Sequence, residues 1–390
     1  MDWFDGHLDL AYLAQTGRDM HVDLADIHEP AGPAAVTFPS LAAGGVRRAV
    51  ATIFIEPGQC STVASAPAGP WCYGTAQEAF EASLKQLAIY QKWQDEGRLI
   101  ILDGTGERAR GGPWGLGGLR HGGMSRQAKA GVSDKIEKRW PGSQGRAAKL
   151  RGREENASRT PAPSAPPPEV LILLEGAAGV RSVDDLEWLY QQGVRMLALT
   201  WVQGTVWAGG DHSGGGITPG GLQLIDQADR LGMVHDVTHL SEAAFWALLD
   251  RAKGPKVASH SNCRALLAGA PSGERHLSDQ QIVALARAEG MIGINLYGRF
   301  LAVGRPARLA DVVRHVRHIL DLTGRPDLIG LGSDMDGGFS AADLPLELRR
   351  PADLVRLAEA LSAAGLSDPQ IEQFAHGNWE RFLKLSGKAQ

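Results

Sequence analysis

The sequence predicts an α/β fold of repeated strand–helix units, with a closed (β/α)8 barrel as the first choice. Eight short apolar runs are each followed by a glycine or a polar residue and then by a longer amphipathic stretch. Such runs are typical of strands buried on both faces, and their alternation with helices implies parallel pairing. Eight strands favour a closed barrel, and an open doubly wound sheet is the alternative. The runs are 3–8, 49–55, 170–174, 196–200, 233–237, 256–259, 291–296 and 328–332.

Amphipathic stretches between these runs predict the helices. In 77–96, apolar side chains recur at helical spacing at Phe80, Leu84 and Leu87. Ser241 and Ser278 each precede an acidic residue, a pattern typical of a helix start. A ninth apolar run, 99–102, predicts an extra edge strand. The remaining predicted helices are 182–192, 221–231, 309–322 and 351–363.

Composition and charge exclude several classes of protein. Apolar residues make up 43% of the 390, enough for a sizeable core, which excludes a wholly disordered chain. A net charge of −4 argues against nucleic acid as the main partner. No apolar run reaches the roughly 20 residues of a membrane-spanning helix, and the acidic start lacks the features of a signal peptide. We therefore expect a cytoplasmic protein whose three cysteines are reduced thiols.

The segment at about 105–168 differs from the rest of the chain. It carries 13 Lys/Arg and five Asp/Glu, a net charge of +8, whereas the remainder carries −12. It is rich in glycine and proline and has little apolar periodicity, so it cannot bury enough apolar surface to offset its ordering entropy. We expect one catalytic barrel domain spanning 1–390, interrupted by this basic surface insertion. A basic lid or a partner-binding arm is the alternative.

Histidines and carboxylates follow five of the predicted strands. In a parallel barrel the carboxyl ends of all strands meet at one rim. Imidazole and carboxylate are the usual ligands of zinc, and their convergence in a dry barrel would be costly without a cation. Each residue taken alone is better interpreted as a core residue, a helix cap or a surface residue. Taken together, the residues favour a metal site. Its members are His7, Asp9, Glu175, His239, His260 and Asp334.

Other catalytic motifs do not fit the sequence. No glycine-rich phosphate loop follows a strand, and no G-x-S-x-G or C-x-x-C motif occurs. Ser259 is adjacent to His260, but members of a catalytic triad meet in space rather than in sequence. Asp236 is either the residue that orients a metal ligand or a buried, hydrogen-bonded carboxylate.

Seven motifs stand in a specific order along the chain. They are DGHLD from Asp5, LAAGGV from Leu41, LLEG from Leu173, GMVHDVTH from Gly232, SHSN from Ser259, GLGSDMDG from Gly330 and GN at Gly377. With this order and spacing the chain resembles the membrane (renal-type) dipeptidases, peptidase family M19, whose bacterial members are often soluble. The resemblance covers nearly the whole chain except about 105–168.

The resemblance implies a (β/α)8 barrel of the metal-dependent amidohydrolase type with two bound zinc ions. It implies hydrolysis of dipeptides by a hydroxide that bridges the two ions. It also implies that a small-molecule dipeptide is the partner, and that the chain forms a homodimer, as the family tends to do. By the same match His7 and Asp9 would bind one ion, His239 and His260 the other, and Glu175 would bridge them.

The resemblance also gives roles around the substrate. Asp334 would be the general acid/base. Arg275 would hold the substrate carboxylate, although it could instead be a surface residue that caps a helix, and Arg264 competes for the same role. Tyr297 matches a substrate-side tyrosine, with a core aromatic residue as the alternative.

Trp201 departs from the family pattern. It stands where many members have a histidine that polarises the substrate carbonyl, and indole has one donor and no basic nitrogen. Two alternatives follow from this substitution. One is a metal-dependent hydrolase of another amide, a lactam or a lactone. The other is a metal-bound binding protein without turnover.

Overall fold

The computed structural model describes residues 1–30, 32–57, 72–103, 166–269 and 273–388. The insertion predicted at about 105–168 lies outside these ranges apart from 166–168. The prediction of one domain interrupted by that insertion therefore stays a prediction.

The described residues form a closed barrel of parallel strands, which confirms the predicted (β/α)8 fold. The strands are β1 (Trp3–Leu8), β2 (Val46–Phe54), β3 (Glu169–Glu175), β4 (Val194–Ala198), β5 (Val234–Asp236), β6 (Lys256–Ala258), β7 (Met291–Ile294) and β8 (Ile329–Leu331). Each strand pairs with its sequence neighbours, and β1 also pairs with β8. This last pairing closes the ring, so the open doubly wound sheet is excluded.

Each of the eight predicted runs overlaps one of these strands, and β2, β3 and β4 extend beyond the predicted runs. The additional edge strand is also confirmed, because Ile100–Ile101 pairs in parallel with the start of β3. A separate two-stranded pairing joins Glu56–Pro57 to Cys72–Tyr73.

Helices follow the strands, and side-chain caps fix the starts of several of them. The Ser241 hydroxyl accepts the Ala244 N–H, and Ser278 forms a reciprocal capping box with Gln281. A π-helical turn, Gln373–Gly377, joins the last two helices. The helices are α1 (Leu10–Gln15), α2 (Phe38–Ala43), α3 (Ala76–Asp95), α4 (Val183–Gln191), α5 (Pro219–Arg230), α6 (Glu242–Arg251), α7 (Asp279–Arg287), α8 (Leu309–Thr323), α9 (Leu354–Ala363), α10 (Asp368–Glu372) and α11 (Asn378–Lys388).

An apolar plug fills the amino-terminal end of the barrel. The ring of Phe4 stacks on Trp379 of α11 with centroids 5.5 Å apart, and the indole N–H donates to the Leu331 carbonyl at 2.9 Å. A Cβ at Gly6 would lie 2.3 Å from the Trp379 ring, so only glycine fits there. This end of the barrel is packed with apolar side chains, and the histidines and carboxylates of the predicted metal site lie at the other end.

The helices of the described ranges are too short or too polar to cross a lipid bilayer. The cytoplasmic location and the lack of a nucleic-acid partner stay predictions from the sequence.

A carboxylate at the end of α5 ties together the amino-terminal ends of two neighbouring strands. Asp229 accepts hydrogen bonds from the backbone N–H groups of Lys253 and Gly254, at 2.9 and 2.8 Å, and contacts His235 Nε2 at 2.7 Å. Burial alone would raise the pKa of Asp229, but these hydrogen bonds outweigh it and lower the pKa from 3.8 to about 2. Asp229 therefore stabilises the fold in its charged form.

We expect Asp229→Asn to lower the free energy of unfolding by about 1–2 kcal/mol at neutral pH, measured by urea denaturation. Because the pKa is lowered in the folded state, this contribution is complete above about pH 4 and is lost as the pH falls toward 2. The exposed Asp321→Asn on α8 is the matched control. A difference from the wild type that stays constant across this pH range would contradict the assignment.

Candidate metal centre

Six polar residues predicted from the sequence lie together at the carboxyl-terminal mouth of the barrel. All are less than a tenth exposed. Their side chains approach one another because parallel strands end at the same rim. They are His7 in β1, Asp9 just after it, Glu175 at the end of β3, His239 three residues after β5, His260 two residues after β6, and Asp334 three residues after β8.

The carboxylate of Glu175 lies between histidines. Its Oε2 is 3.3 Å from His7 Nε2. Its Oε1 is 3.4 Å from His239 Nε2 and 3.7 Å from His260 Nε2. Each carboxylate oxygen thus faces a different group of imidazole nitrogens.

Asp9 and Asp334 lie on the His7 side of this cluster. His7 Nε2 is 3.7 Å from Asp9 Oδ1, and ligand atoms of His7, Asp9 and Asp334 all lie within 4.8 Å of one another. The Thr52 hydroxyl donates to Asp9. Asp9 follows the end of β1 in a non-extended backbone conformation.

Two residues of the cluster have left-handed backbone conformations, which are unfavourable for residues other than glycine. His239 has φ 66° and Asp334 has φ 59°. Asp334 is fixed by its backbone N–H, which donates to the His7 carbonyl at 3.2 Å, and by Asn295 Nδ2, which donates to its Oδ2 at 2.9 Å. Two residues further on, the buried Asp336 forms an ion pair with Arg18, which anchors the loop that contains Asp334.

Burial and neighbouring charges together set the pKa values of the mouth. It raises the pKa of Asp334 to about 7 and, together with Glu175, raises the pKa of Asp9 to about 6. Burial lowers the pKa of His7, but Glu175 and Asp9 outweigh it and raise the value to about 10. Three carboxyl groups, those of Asp9, Glu175 and Asp334, therefore lie buried close to one another.

The residues present fit divalent metal. Glu175 Oε1 is buried and has no hydrogen-bond partner among the described residues. His239 Nε2 and His260 Nε2 lie 3.2 Å apart, a distance at which the two lone pairs repel unless a proton or a cation lies between them. Imidazole nitrogen and carboxylate oxygen are the donors preferred by zinc and its neighbours.

The outward-facing ring nitrogens also have partners. His239 Nδ1 contacts Asp211 Oδ2 at 2.9 Å. Ser259 Oγ lies 2.8 Å from His260 Nδ1 and 3.3 Å from His7 Nδ1. Sequence reasoning missed Asp211 and treated Ser259 only as a triad candidate. The Asp211 contact joins residues 28 positions apart, and no sequence pattern marks it.

Asp236 is a buried, hydrogen-bonded carboxylate rather than a direct partner of a histidine. Its Oδ1 accepts the backbone N–H groups of Thr238 and Ser259 at 3.0 and 3.1 Å. It therefore holds the ends of β5 and β6 in register.

Arg275 is buried beside the cluster, so the interpretation as a surface helix cap is wrong. Its Nη2 donates to the His260 carbonyl at 2.9 Å, and its guanidinium lies 5.1 Å from the Phe300 ring. Its Nε is buried without a hydrogen bond in the described ranges. The competing Arg264 is held by Glu242 at 2.7 Å and by Gln281 at 3.2 Å.

Two aromatic residues complete the mouth. The half-buried Tyr297 stacks on Phe339 with centroids 4.4 Å apart. Burial, with added repulsion from nearby carboxylates that include Asp334, raises the pKa of Tyr297. The half-buried Trp201 ring lies 5.0 Å from Phe54 and 6.0 Å from His239, so indole borders the cluster.

Comparison with solved structures supports the fold. A metallo peptidase from Rhodobacter sphaeroides, solved with a phosphinate mimic of the dipeptide L-Ala-D-Ala, matches with a TM-score of 0.70 and 23% identity, over 98% of this chain and 99% of that one. A probable dipeptidase from Pseudomonas aeruginosa matches with a TM-score of 0.72 and 16% identity, over 100% and 96%.

Sequence comparison identifies the family. A Klebsiella pneumoniae protein of unassigned function, encoded in the pqqA 5′ region, is 36% identical over 225 residues, which are 54% of this chain and 79% of the relative. An uncharacterized dipeptidase of Schizosaccharomyces pombe is 30% identical over 219 residues, about half of its length. The family model of the membrane dipeptidases matches residues 168–389. The chain therefore belongs to the membrane dipeptidase family, peptidase family M19.

Proposed function

We propose that this protein is a binuclear zinc-dependent dipeptidase. Membership of the family supports a metal-dependent hydrolase. The proposal of two zinc ions rests on the position of Glu175. Its two oxygens face His7 on one side and His239 with His260 on the other. A single buried carboxylate with imidazoles on both sides is suited to bridge two cations.

Each zinc ion would have its own set of ligands. His7 and Asp9 would hold one ion, His239 and His260 the other, and Glu175 would contribute one oxygen to each. When bound, the two ions would polarise the scissile carbonyl and lower the pKa of the attacking water.

Asp334 would move the proton during hydrolysis. It would take the proton of the attacking water and give it to the leaving amine. Asn295 Nδ2 donates to its Oδ2 at 2.9 Å, which fixes the carboxyl group beside the cluster.

Arg275 would select the length of the substrate. The buried guanidinium is held in one orientation by the His260 carbonyl. Its Nε makes no hydrogen bond within the described structure, and the carboxylate of Asp211 lies 3.9 Å from it. Holding the terminal carboxylate at a set distance from the metal centre favours dipeptides over longer chains. Tyr297 would line the substrate side of the mouth.

We expect two metal ions per chain in the wild type and a loss of both high-affinity sites in Glu175→Gln, because the variant removes the charge that both ions share. Metal content after dialysis, with affinities from chelator competition, measures this. The exposed Glu187→Gln on α4 is the matched control. Two tightly bound ions in Glu175→Gln would refute the bridging role.

We expect Asp334→Asn to lower kcat by about 10²–10⁴-fold, because the amide cannot accept and return the proton. Metal content should remain close to the wild-type value. Steady-state hydrolysis of a dipeptide is the measurement, with the exposed Asp184→Asn as the control. Unchanged turnover in Asp334→Asn would remove it from the mechanism.

The indole of Trp201 favours a second candidate, a metal-dependent hydrolase of another amide, a lactam or a lactone. It borders His239 and has no basic nitrogen to assist at the carbonyl. A substrate panel separates the candidates: dipeptides with L- or D-residues at the carboxyl end, lactams and lactones.

We expect the dipeptides to be hydrolysed. We include D-residues because the Rhodobacter sphaeroides protein was solved with a mimic of L-Ala-D-Ala. Turnover of lactams or lactones alone would favour the second candidate. Two bound ions without any turnover would favour a binding protein.

A further inference from the structure

The three histidines of the metal centre do not have equivalent outer partners. His239 alone meets a carboxylate, that of Asp211, at 2.9 Å. His7 and His260 instead share one neutral oxygen, Ser259 Oγ, at 3.3 and 2.8 Å. A histidine that binds a metal through Nε2 must carry its proton on Nδ1, so each outer acceptor sets which nitrogen faces the metal.

The Ser259 hydroxyl has the right bonding capacity for this shared role. It offers two lone pairs and one proton. Two Nδ1–H groups would occupy both lone pairs, and its own proton can go to Thr238 Oγ1, which lies 3.4 Å away. Ser259 is fully buried, so bulk solvent does not reach these positions.

The barrel fixes the position of Ser259 through its backbone. Its N–H donates to Asp236 Oδ1 at 3.1 Å. A Cβ at Gly293 or at Gly332 would lie 1.9 Å from its carbonyl oxygen, so glycines in β7 and after β8 allow this close approach. The hydroxyl is therefore set between His7 and His260 by the closed barrel itself.

We propose that Ser259 is a positioning residue that couples the two ion sites. Its one hydroxyl directs Nε2 of His7 toward the first ion and Nε2 of His260 toward the second. This inference rests on the proposed function. Asp211, in contrast, acts on His239 and therefore on the second ion alone.

The test compares zinc binding by metal-free wild type and variants, using competition with a chromophoric chelator to resolve both sites. We expect Ser259→Ala to weaken both sites by about 10–100-fold, since it removes the acceptor of two ligands. Asp211→Ala should weaken one site only. Ser83→Ala is the matched control, because Ser83 is a buried serine of α3 whose hydroxyl donates to Ala79 within the helix.

Thr238→Val is a second variant that keeps the shape of the side chain. It removes the acceptor for the Ser259 proton, so that proton turns toward a histidine Nδ1. We expect the zinc affinity of both sites to fall by a smaller factor than in Ser259→Ala. Thermal unfolding of each metal-free variant separates misfolding from lost affinity, and Thr238→Val carries the test if Ser259→Ala does not fold.

Three results have distinct meanings. Unchanged affinities in Ser259→Ala, or weakening of only one site, would overturn the coupling while leaving the proposed function intact. Fewer than two zinc ions in the wild type would overturn the proposed function and the coupling with it. Weakening of both sites in Ser259→Ala, with only one weakened in Asp211→Ala, would support it.

Discussion

The buried carboxylate of Glu175 is the constraint around which the mouth of the barrel is built. β3 runs from Glu169 through a fully buried apolar stretch and ends on this acidic side chain, 4% exposed, with imidazoles on both sides. A carboxylate in such a place is costly unless cations compensate it. The neighbouring Asp9 and Asp334 increase that cost. The arrangement of these three carboxylates therefore favours a bound metal.

The two ends of the barrel divide stability and chemistry between them. Phe4 and Trp379 close the amino-terminal end with packed rings, and Asp229 ties strand ends there through backbone hydrogen bonds. The carboxyl-terminal end instead holds buried charge and left-handed backbone at His239 and Asp334. Such positions persist because the surrounding structure fixes them, as the His7 carbonyl and Asn295 fix Asp334.

The strands could be predicted because a strand buried on both faces is a continuous run of apolar residues. The candidate ligands could be predicted because they lie where these runs end. The predicted bounds of a strand were less accurate where polar residues lie inside it, as Arg47 and Arg48 do at the start of β2. The six-residue α1 follows β1 directly and gives too short a pattern to recognise. Asp211 and Ser259 owe their roles to contacts made only when the barrel closes, Ser259 with a histidine 252 positions away.

Anomalous diffraction at the zinc edge, from crystals grown with zinc, would locate the bound ions. We expect two peaks about 3.5–4 Å apart, one beside His7 and Asp9 and the other beside His239 and His260, with Glu175 between them. A single peak, or peaks that Glu175 does not touch, would contradict the two-zinc proposal.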